Sequence, residues 1–526
     1  MTAPTAAPPP AVHLAPEDNI VIAARHLRRG ETVHTRGREV TLVDPVPLGH
    51  KASLVVIRKG EPIRKYGQII GFASEEIPPG SHVHVHNCSA ESFARDYAIG
   101  SAVPPPPGPA EPRTFRGYLR ADGRAGTRNY ITIVSTVNCS AATSNYIAER
   151  IAEEGLRDFP NVDGILPLTH KTGCGMQYGG MDHEQLDRTL AGFATHPNTG
   201  AYLLVGLGCE VGQAAHLVKS HRLVTVDRPG AAGQAQSQGQ GQGAPVFTIQ
   251  ESGGIRKTVE AGVRAIRELL PRANDVERVE IPASRIVLGT NCGGSDGNSG
   301  VTANPALGVA SDLIVAQGGT SILGETPEIY GAEHLLTRRA VSREVAEALI
   351  ERIRWWEWYT GLFGAEINNN PSPGNKDGGL TTIYEKSLGA IAKGGSTALR
   401  AVYRYAEPVK EKGFVVMDTP GFDPVSMTGI VAGGANVCVF TTGRGSVYGC
   451  KPAPCIKVAT NTPMYERMES DMDVDAGVIL AGTPVEEVGR RIFEMILAVA
   501  SGEKTKSELQ GIGEEEFAPW SIGPTL

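Results

Sequence analysis

Hydrophobic positions along the chain fall into two regimes. Between 18 and 98 they form short runs, at 19–24, 53–57, 68–72 and 82–86, each bounded by Gly, Pro or charged residues. Runs of that length with turn residues between them predict β-strands, so 13–100 reads as a small β module. The next stretch, 101–112, is rich in proline, which supplies no N–H to a sheet ladder, and it predicts a stiff connector and a domain boundary. From Gly117 onward, apolar strand-like runs at 130–137 and 201–206 alternate with helical periodicity near 144–153 and 254–270. That alternation predicts an α/β layer with parallel strands over 113–280. A new strand-like run at 285–289 opens a second α/β domain, 281–526, with amphipathic helices over 342–359 and 485–501. The fold class expected is therefore a multidomain α/β protein with a small N-terminal β module. The polar Gln/Gly-rich tract at 229–245 cannot offset its ordering entropy by burial and reads as a surface insertion.

Composition narrows the function. The 526 residues are 41% hydrophobic and 20% charged, ordinary for a globular chain with sizeable cores. Fifty Lys+Arg against 57 Asp+Glu leave a net charge of −7, with no basic excess to hold nucleic acid or an anionic membrane. No apolar run approaches the roughly 20 residues needed to span a bilayer, and the Pro/Ala-rich start lacks the pattern of a signal peptide. A cytoplasmic protein acting on a small molecule is expected, with a homo-oligomer left open.

Several constellations could carry chemistry. His82, His84 and His86 alternate, so on a strand all three imidazoles would project from one face, a spacing that suits Zn2+, Fe2+ or Mn2+. A merely polar outer face is the plainer alternative. His50 and Lys51 pair a group titrating near neutrality with an ammonium, although a solvated loop explains an arbitrary His-Lys pair as well. Cys139, Cys174, Cys209 and Cys292 stand beside Gly or Asn in strand-end loops, without the CxxC spacing of a zinc ribbon or redox dithiol. Each alone is more simply a small buried hydrophobe. The loop that begins at Cys292 carries Ser295, Asp296 and Ser299 and could cradle an anion, but has neither the lysine nor the spacing of a P-loop. Asn375 and Lys376 lie in another turn-rich loop, and Arg444 follows an apolar run where its fork could hold a carboxylate.

Taken in order, Gly49-His-Lys, Ile63-Arg-Lys-Tyr-Gly, Asp122-Gly-Arg-Ala-Gly-Thr-Arg-Asn, Gly173-Cys-Gly, Gly206-Leu-Gly-Cys-Glu, Cys292-Gly-Gly-Ser-Asp, Gly300-Val-Thr-Ala-Asn-Pro, Asn370-Pro-Ser-Pro-Gly-Asn-Lys-Asp-Gly-Gly and Thr441-Thr-Gly-Arg-Gly resemble the altronate/galactarate dehydratases. The resemblance runs over nearly the whole chain. It implies an N-terminal SAF domain of β-clip type, two larger α/β domains, removal of water from a sugar acid, and a divalent metal, Fe2+ foremost with Mn2+ as an alternative. The segment 80–87 is similar to the altronate branch, while 292–305 and the Asn370 loop read close to the galactarate branch. Sulfolactate sulfo-lyases share the architecture in two chains.

Dehydration of an aldonate needs loss of the C2 proton, stabilisation of the enediolate that results, and protonation of the departing C3 hydroxyl. The metal is expected at His84 and His86, with His82 and Cys174 as further ligands. His50 is expected as acid or base, and Lys51 or Arg444 as the partner of the carboxylate. Asp296 and Lys376 follow as catalytic candidates, with Ser295 and Asn375 beside the substrate. Two competing readings are a non-catalytic sugar-acid binder and an iron–sulfur hydro-lyase using three of Cys139, Cys174, Cys209 and Cys292.

Overall fold

Ile20–Ala23 is buried along its whole length because it is an inner strand of a four-stranded antiparallel sheet, ordered Ala11–Val12, Ile20–Ala23, Lys51–Ser53 and His82–Val83. The computed structural model describes residues 9–35, 37–108, 110–223 and 245–523, so the glutamine-rich tract, save Pro245, lies outside the described residues. A hairpin of Thr32–Thr35 with Arg38–Thr41 and a second sheet of Pro62–Lys65, Gln68–Ala73 and Cys88–Ser89 complete the small module. The turn of the second hairpin places Tyr66 at φ 61° and Gly67 at φ 70°. Tyr66 tolerates that conformation because both N–H groups donate to the Asp18 carboxylate, at 3.1 and 2.7 Å. Its ring reaches the larger C-terminal domain, where any Cβ on Gly300 would run into the Tyr66 hydroxyl.

Two sequence expectations are corrected here. The run at 53–57 is not a strand: the strand is Lys51–Ser53, and Ile57 only bridges to Ile77. The run at 82–86 is a strand only over His82–Val83, because the chain turns at His84 and closes with the N–H groups of Asn87 and Cys88 on the His84 carbonyl.

The second domain is a parallel sheet ordered Gly164–Leu168, Tyr130–Ser135, Thr199–Gly206 and Val246–Thr248. Helices Ala141–Glu154 and Ile255–Asn274 cover one face. Met181–Ala194 covers the other and packs on helix Asp423–Ala432 of the C-terminal domain, with a core shared between the two.

The C-terminal domain carries seven parallel strands ordered Leu399–Tyr403, Gly413–Met417, Thr320–Leu323, Val287–Cys292, Val437–Thr442, Cys455–Ala459 and Val474–Asp475. Helices Ala303–Ala316 and Val485–Ala500 cover one face, and Arg343–Leu362 packs beside the first strand. Strands that follow Val287–Cys292 in the chain lie on both sides of it, so the order reverses between that strand and Val437–Thr442. Ligands of open α/β sheets bind beyond the carboxyl ends of the strands at such a reversal. The small module sits over this edge, sharing a core in which Ile63, Ile70 and Val83 meet Leu323, Leu388 and Val416.

Candidate active site

Glycines bring the small module onto the reversal point. Gly49 has φ +80°, and a Cβ on Gly297 would strike its carbonyl, while one on Gly379 would lie 2.6 Å from the same oxygen. This close approach delivers His50 and Lys51 to the loops that begin at Cys292 and Asn370.

His50 then meets the two histidines at the end of the module's sheet. One ligating atom from each of His50, His82 and His84 lies within 4.8 Å of the others. His50 Nδ1 is 3.0 Å from His82 Nε2, and His50 Nε2 is 3.2 Å from the Asp377 carbonyl. A carbonyl only accepts, so Nε2 of His50 carries the proton and Nδ1 offers its lone pair. Among the described residues, His84 Nδ1 is buried and has no hydrogen-bond partner. Burial, with the neighbouring His50 adding to it, pushes His82 down to about 4. Burial and then the Lys51 ammonium push His84 down to about 3, and burial lowers His50 as well. Three neutral imidazoles, one with an orphaned nitrogen, fit a divalent ion, and the Asp377 carbonyl orients His50 as outer partners of metal-bound histidines do.

This grouping differs from the set expected from sequence, His82, His84, His86 and Cys174. His50 enters it, whereas the turn at His84 leaves His86 exposed and outside the group, its ring 5.6 Å from that of His82. Cys174 is on an exposed loop of the second domain and is not part of it.

Lys51 is fully buried, its ammonium 2.8 Å from Glu385 and 2.5 Å from the Gly379 carbonyl, and Lys65 binds the other Glu385 oxygen at 2.8 Å. Burial alone would raise Glu385, but the two ammonium groups outweigh it and hold the carboxyl far below the usual range. Burial lowers Lys51 in turn. This triad fastens the module to helix Ile383–Ala390 and leaves Lys51 no donor for a substrate. Asp296 is likewise enclosed: its carboxylate accepts from Ser299, the Asn298 N–H, Thr460 and Asn461, so it braces the loop from within. Asn375 donates to the Ser295 carbonyl at 2.9 Å and accepts from the Ser372 N–H, tying the two loops together, while the Ser295 hydroxyl is buried and has no partner among the described residues. By contrast, Lys376 is half-buried and Arg444 exposed, and among the described residues neither cation has a hydrogen-bond or ion-pair partner. Lys376 adjoins Asp377, whose carbonyl meets His50, and a Cβ on Gly378 would lie 3.2 Å from Arg444 Cδ. Lys376 and Arg444 therefore both stand beside the Asp377–Gly378 turn that meets His50.

Among the described residues, two other groups have metal-like composition. Cys292, Glu325 and Glu328 form the first, but Lys393 binds Cys292 Sγ and Glu325 at 2.7 Å and Lys386 binds Glu328 at 2.8 Å, so the two carboxylates are already neutralised. Beside them burial, then Glu325 and Glu328, push Asp423 up to about 8, which keeps it a neutral acid. Sequence reasoning missed this network; its residues are ordinary helix and loop charges whose convergence depends on the fold. In the second domain, His183 and His216 lie 3.8 and 3.4 Å from Asp187. There the Gly179 N–H donates to His183 Nδ1, which places the ring proton on Nε2 and suits a His–carboxylate pair more than a metal.

Three consecutive family descriptions match the chain: the altronate/galactarate dehydratase SAF domain over 9–91, the D-galactarate dehydratase/altronate hydrolase second domain over 117–274, and the D-galactarate/altronate dehydratase C-terminal domain over 283–525. Altronate dehydratase of Bacillus subtilis is 36% identical over 515 residues, covering 97% of this chain and 98% of that protein. Altronate dehydratase of Escherichia coli is 33% identical over 510 residues, with the same coverage. Galactarate dehydratase (L-threo-forming) of E. coli is 38% identical over 469 residues, 88% of this chain and 87% of that one. The chain is an enzyme of the hydro-lyase class, and it belongs to the altronate/galactarate dehydratase family. Among the described residues no helix is long and apolar enough to cross a membrane.

Proposed function

We propose that this protein dehydrates D-altronate to 2-dehydro-3-deoxy-D-gluconate. Its support is the full-length likeness to two altronate dehydratases, and the observation that carries it is the cluster of three imidazoles, His50, His82 and His84, that meets the Asp377–Gly378 turn beside which Lys376 and Arg444 stand. Arg444 and Lys376 bind the carboxylate and fix which carbon faces the imidazoles. His50 Nδ1, His82 and His84 would hold the metal, Fe2+ or Mn2+, which when bound supplies positive charge to the enediolate formed as C2 loses its proton. His86, exposed in the turn beside His82, moves protons between the substrate and solvent.

A second reading, galactarate, is favoured by the pair of unpaired cations, since an aldarate carries two carboxylates. The test is turnover of altronate, galactarate and sulfolactate by anaerobic, iron(II)-loaded protein. Formation of the 2-dehydro-3-deoxy acid from altronate supports the proposal, and formation of a dehydro-deoxy acid from galactarate alone selects the second reading. Sulfite release from sulfolactate, or no turnover of any of the three, overturns both.

A further inference from the structure

Of the cysteines, only Cys139, Cys174 and Cys209 are exposed, and all three stand on one edge of the second domain. Each follows a different strand of the parallel sheet: Tyr130–Ser135, Gly164–Leu168 and Thr199–Gly206, which are adjacent with Tyr130–Ser135 in the middle. The sheet fills outward from that middle strand, so this edge is the domain's own reversal point, where α/β sheets take ligands.

The three loops are fastened to one another. The Asn138 N–H donates to the Thr172 carbonyl at 2.9 Å, joining the Cys139 and Cys174 loops. The Gly212 N–H donates to the Gly173 carbonyl at 3.1 Å, joining the Cys174 and Cys209 loops. Gly173 has φ +97°, and a Cβ there would run into the Thr136 carbonyl, so only glycine lets the loops close this tightly. The buried Glu210 completes the clamp, accepting from Thr136 Oγ1 at 2.9 Å and from the N–H groups of Leu207 and Gly208 at 3.1 and 2.5 Å.

This framework is rigid, yet the thiols it presents are nearly idle. Gln250 donates to Cys209 at 3.3 Å, and among the described residues Cys139 and Cys174 have no partner. Cys292 differs: it is buried and bound by Lys393. The three exposed thiols are not among the sets whose ligating atoms all lie within 4.8 Å, a spread wider than the coordination shell of one ion. Cys139 also lies in the turn Asn138–Ser140 that leads into helix Ala141–Glu154, whose N-terminal N–H groups attract an anionic cluster.

We propose that Cys139, Cys174 and Cys209 hold an iron–sulfur cluster through three thiolates, leaving one iron open to water or a substrate oxygen. The inference is independent of the imidazole site, since it rests on a different domain and on thiol ligands. It is tested on the full-length protein, incubated anaerobically with ferrous iron, inorganic sulfide and a thiol reductant, then desalted. Protein-bound iron and acid-labile sulfide are measured with the visible absorption and the low-temperature EPR of the reduced sample. Wild type is expected to turn brown and retain iron and sulfide in matching amounts. Cys139→Ser, Cys174→Ser and Cys209→Ser should each lose the sulfide and the colour with an unchanged thermal melt, while Cys450→Ser retains both. Iron without sulfide, zinc alone, or a cluster that survives all three serine variants would overturn the proposal.

Discussion

His50 Nδ1 and His82 Nε2 lie 3.0 Å apart, so a ring from the loop after Gly49 and a ring from the strand His82–Val83 share a single proton. A cation entering here competes for nitrogens that burial already keeps neutral. His50→Ala and His84→Ala are each expected to weaken Fe2+ affinity by at least about 100-fold, more than the loss of an outer partner costs. Anaerobic titration with a ferrous chelator measures it. His86→Ala should keep the metal and lose turnover; metal lost from that variant but retained in His84→Ala would return the ligand set to the pattern expected from sequence.

Arg444 and Lys376 should report on carboxylate binding. Removing one charge-assisted hydrogen bond costs about 1.5–3 kcal/mol, so Arg444→Ala and Lys376→Ala should each raise KM by roughly 10- to 100-fold with kcat changed much less. Steady-state kinetics on the preferred substrate decides this. An unchanged KM in both variants removes them from the substrate's site.

Lys51 stands next to His50 but serves stability. In Lys51→Met the Glu385 carboxylate keeps only Lys65 as a cationic partner in a site closed to solvent. Breaking a buried ion pair this way costs about 3–5 kcal/mol, which urea denaturation would show as a lower midpoint. Activity per folded molecule should survive if the module still docks. Full stability with abolished turnover would make Lys51 a catalytic group.

Much of the architecture was legible in the chain because local signals and tertiary context agree. Helices expected over 342–359 and 485–501 appear as Arg343–Leu362 and Val485–Ala500. The site was less legible. Alternating histidines imply one face only while the strand continues, and the turn at His84 depends on Asn87, whose side chain accepts from the His84 N–H at 2.9 Å and donates to the His82 carbonyl at 3.0 Å. That local side-chain bonding competes with the ladder, as Asn does in turns. Lys51 and Asp296 are indistinguishable in sequence from residues that touch substrate, and only the partners that arrive from distant segments, Glu385 and Thr460, show them to be enclosed.

Acid should loosen the second domain before it affects the charges at its surface. His170 Nε2 donates to the Ser135 carbonyl at 2.9 Å while its Nδ1 accepts from the Thr172 N–H, and His196 bridges the Ala435 carbonyl and the Asn198 N–H in the same way. Both rings work only when neutral, and burial lowers them from 6.5 to about 4 and about 3. A histidine lowered in the folded state contributes stability that is present above its unfolded value and lost as pH falls toward its folded value. Each such group therefore costs up to about 1.4 kcal/mol per pH unit below about 6.5. Urea midpoints measured from about pH 7.5 down to about pH 5 should fall steeply below the unfolded histidine value. His196→Gln should lower stability at neutral pH and flatten that slope; a variant with an unaltered slope would mean that His196 is already charged in the folded protein. Asp423, raised from 3.8 to about 8, acts in the opposite sense: its contribution is full below the unfolded carboxyl value and falls away as pH rises toward 8. With two histidines losing stability below about 6.5 and Asp423 still losing it above, the maximum is expected near the unfolded histidine value.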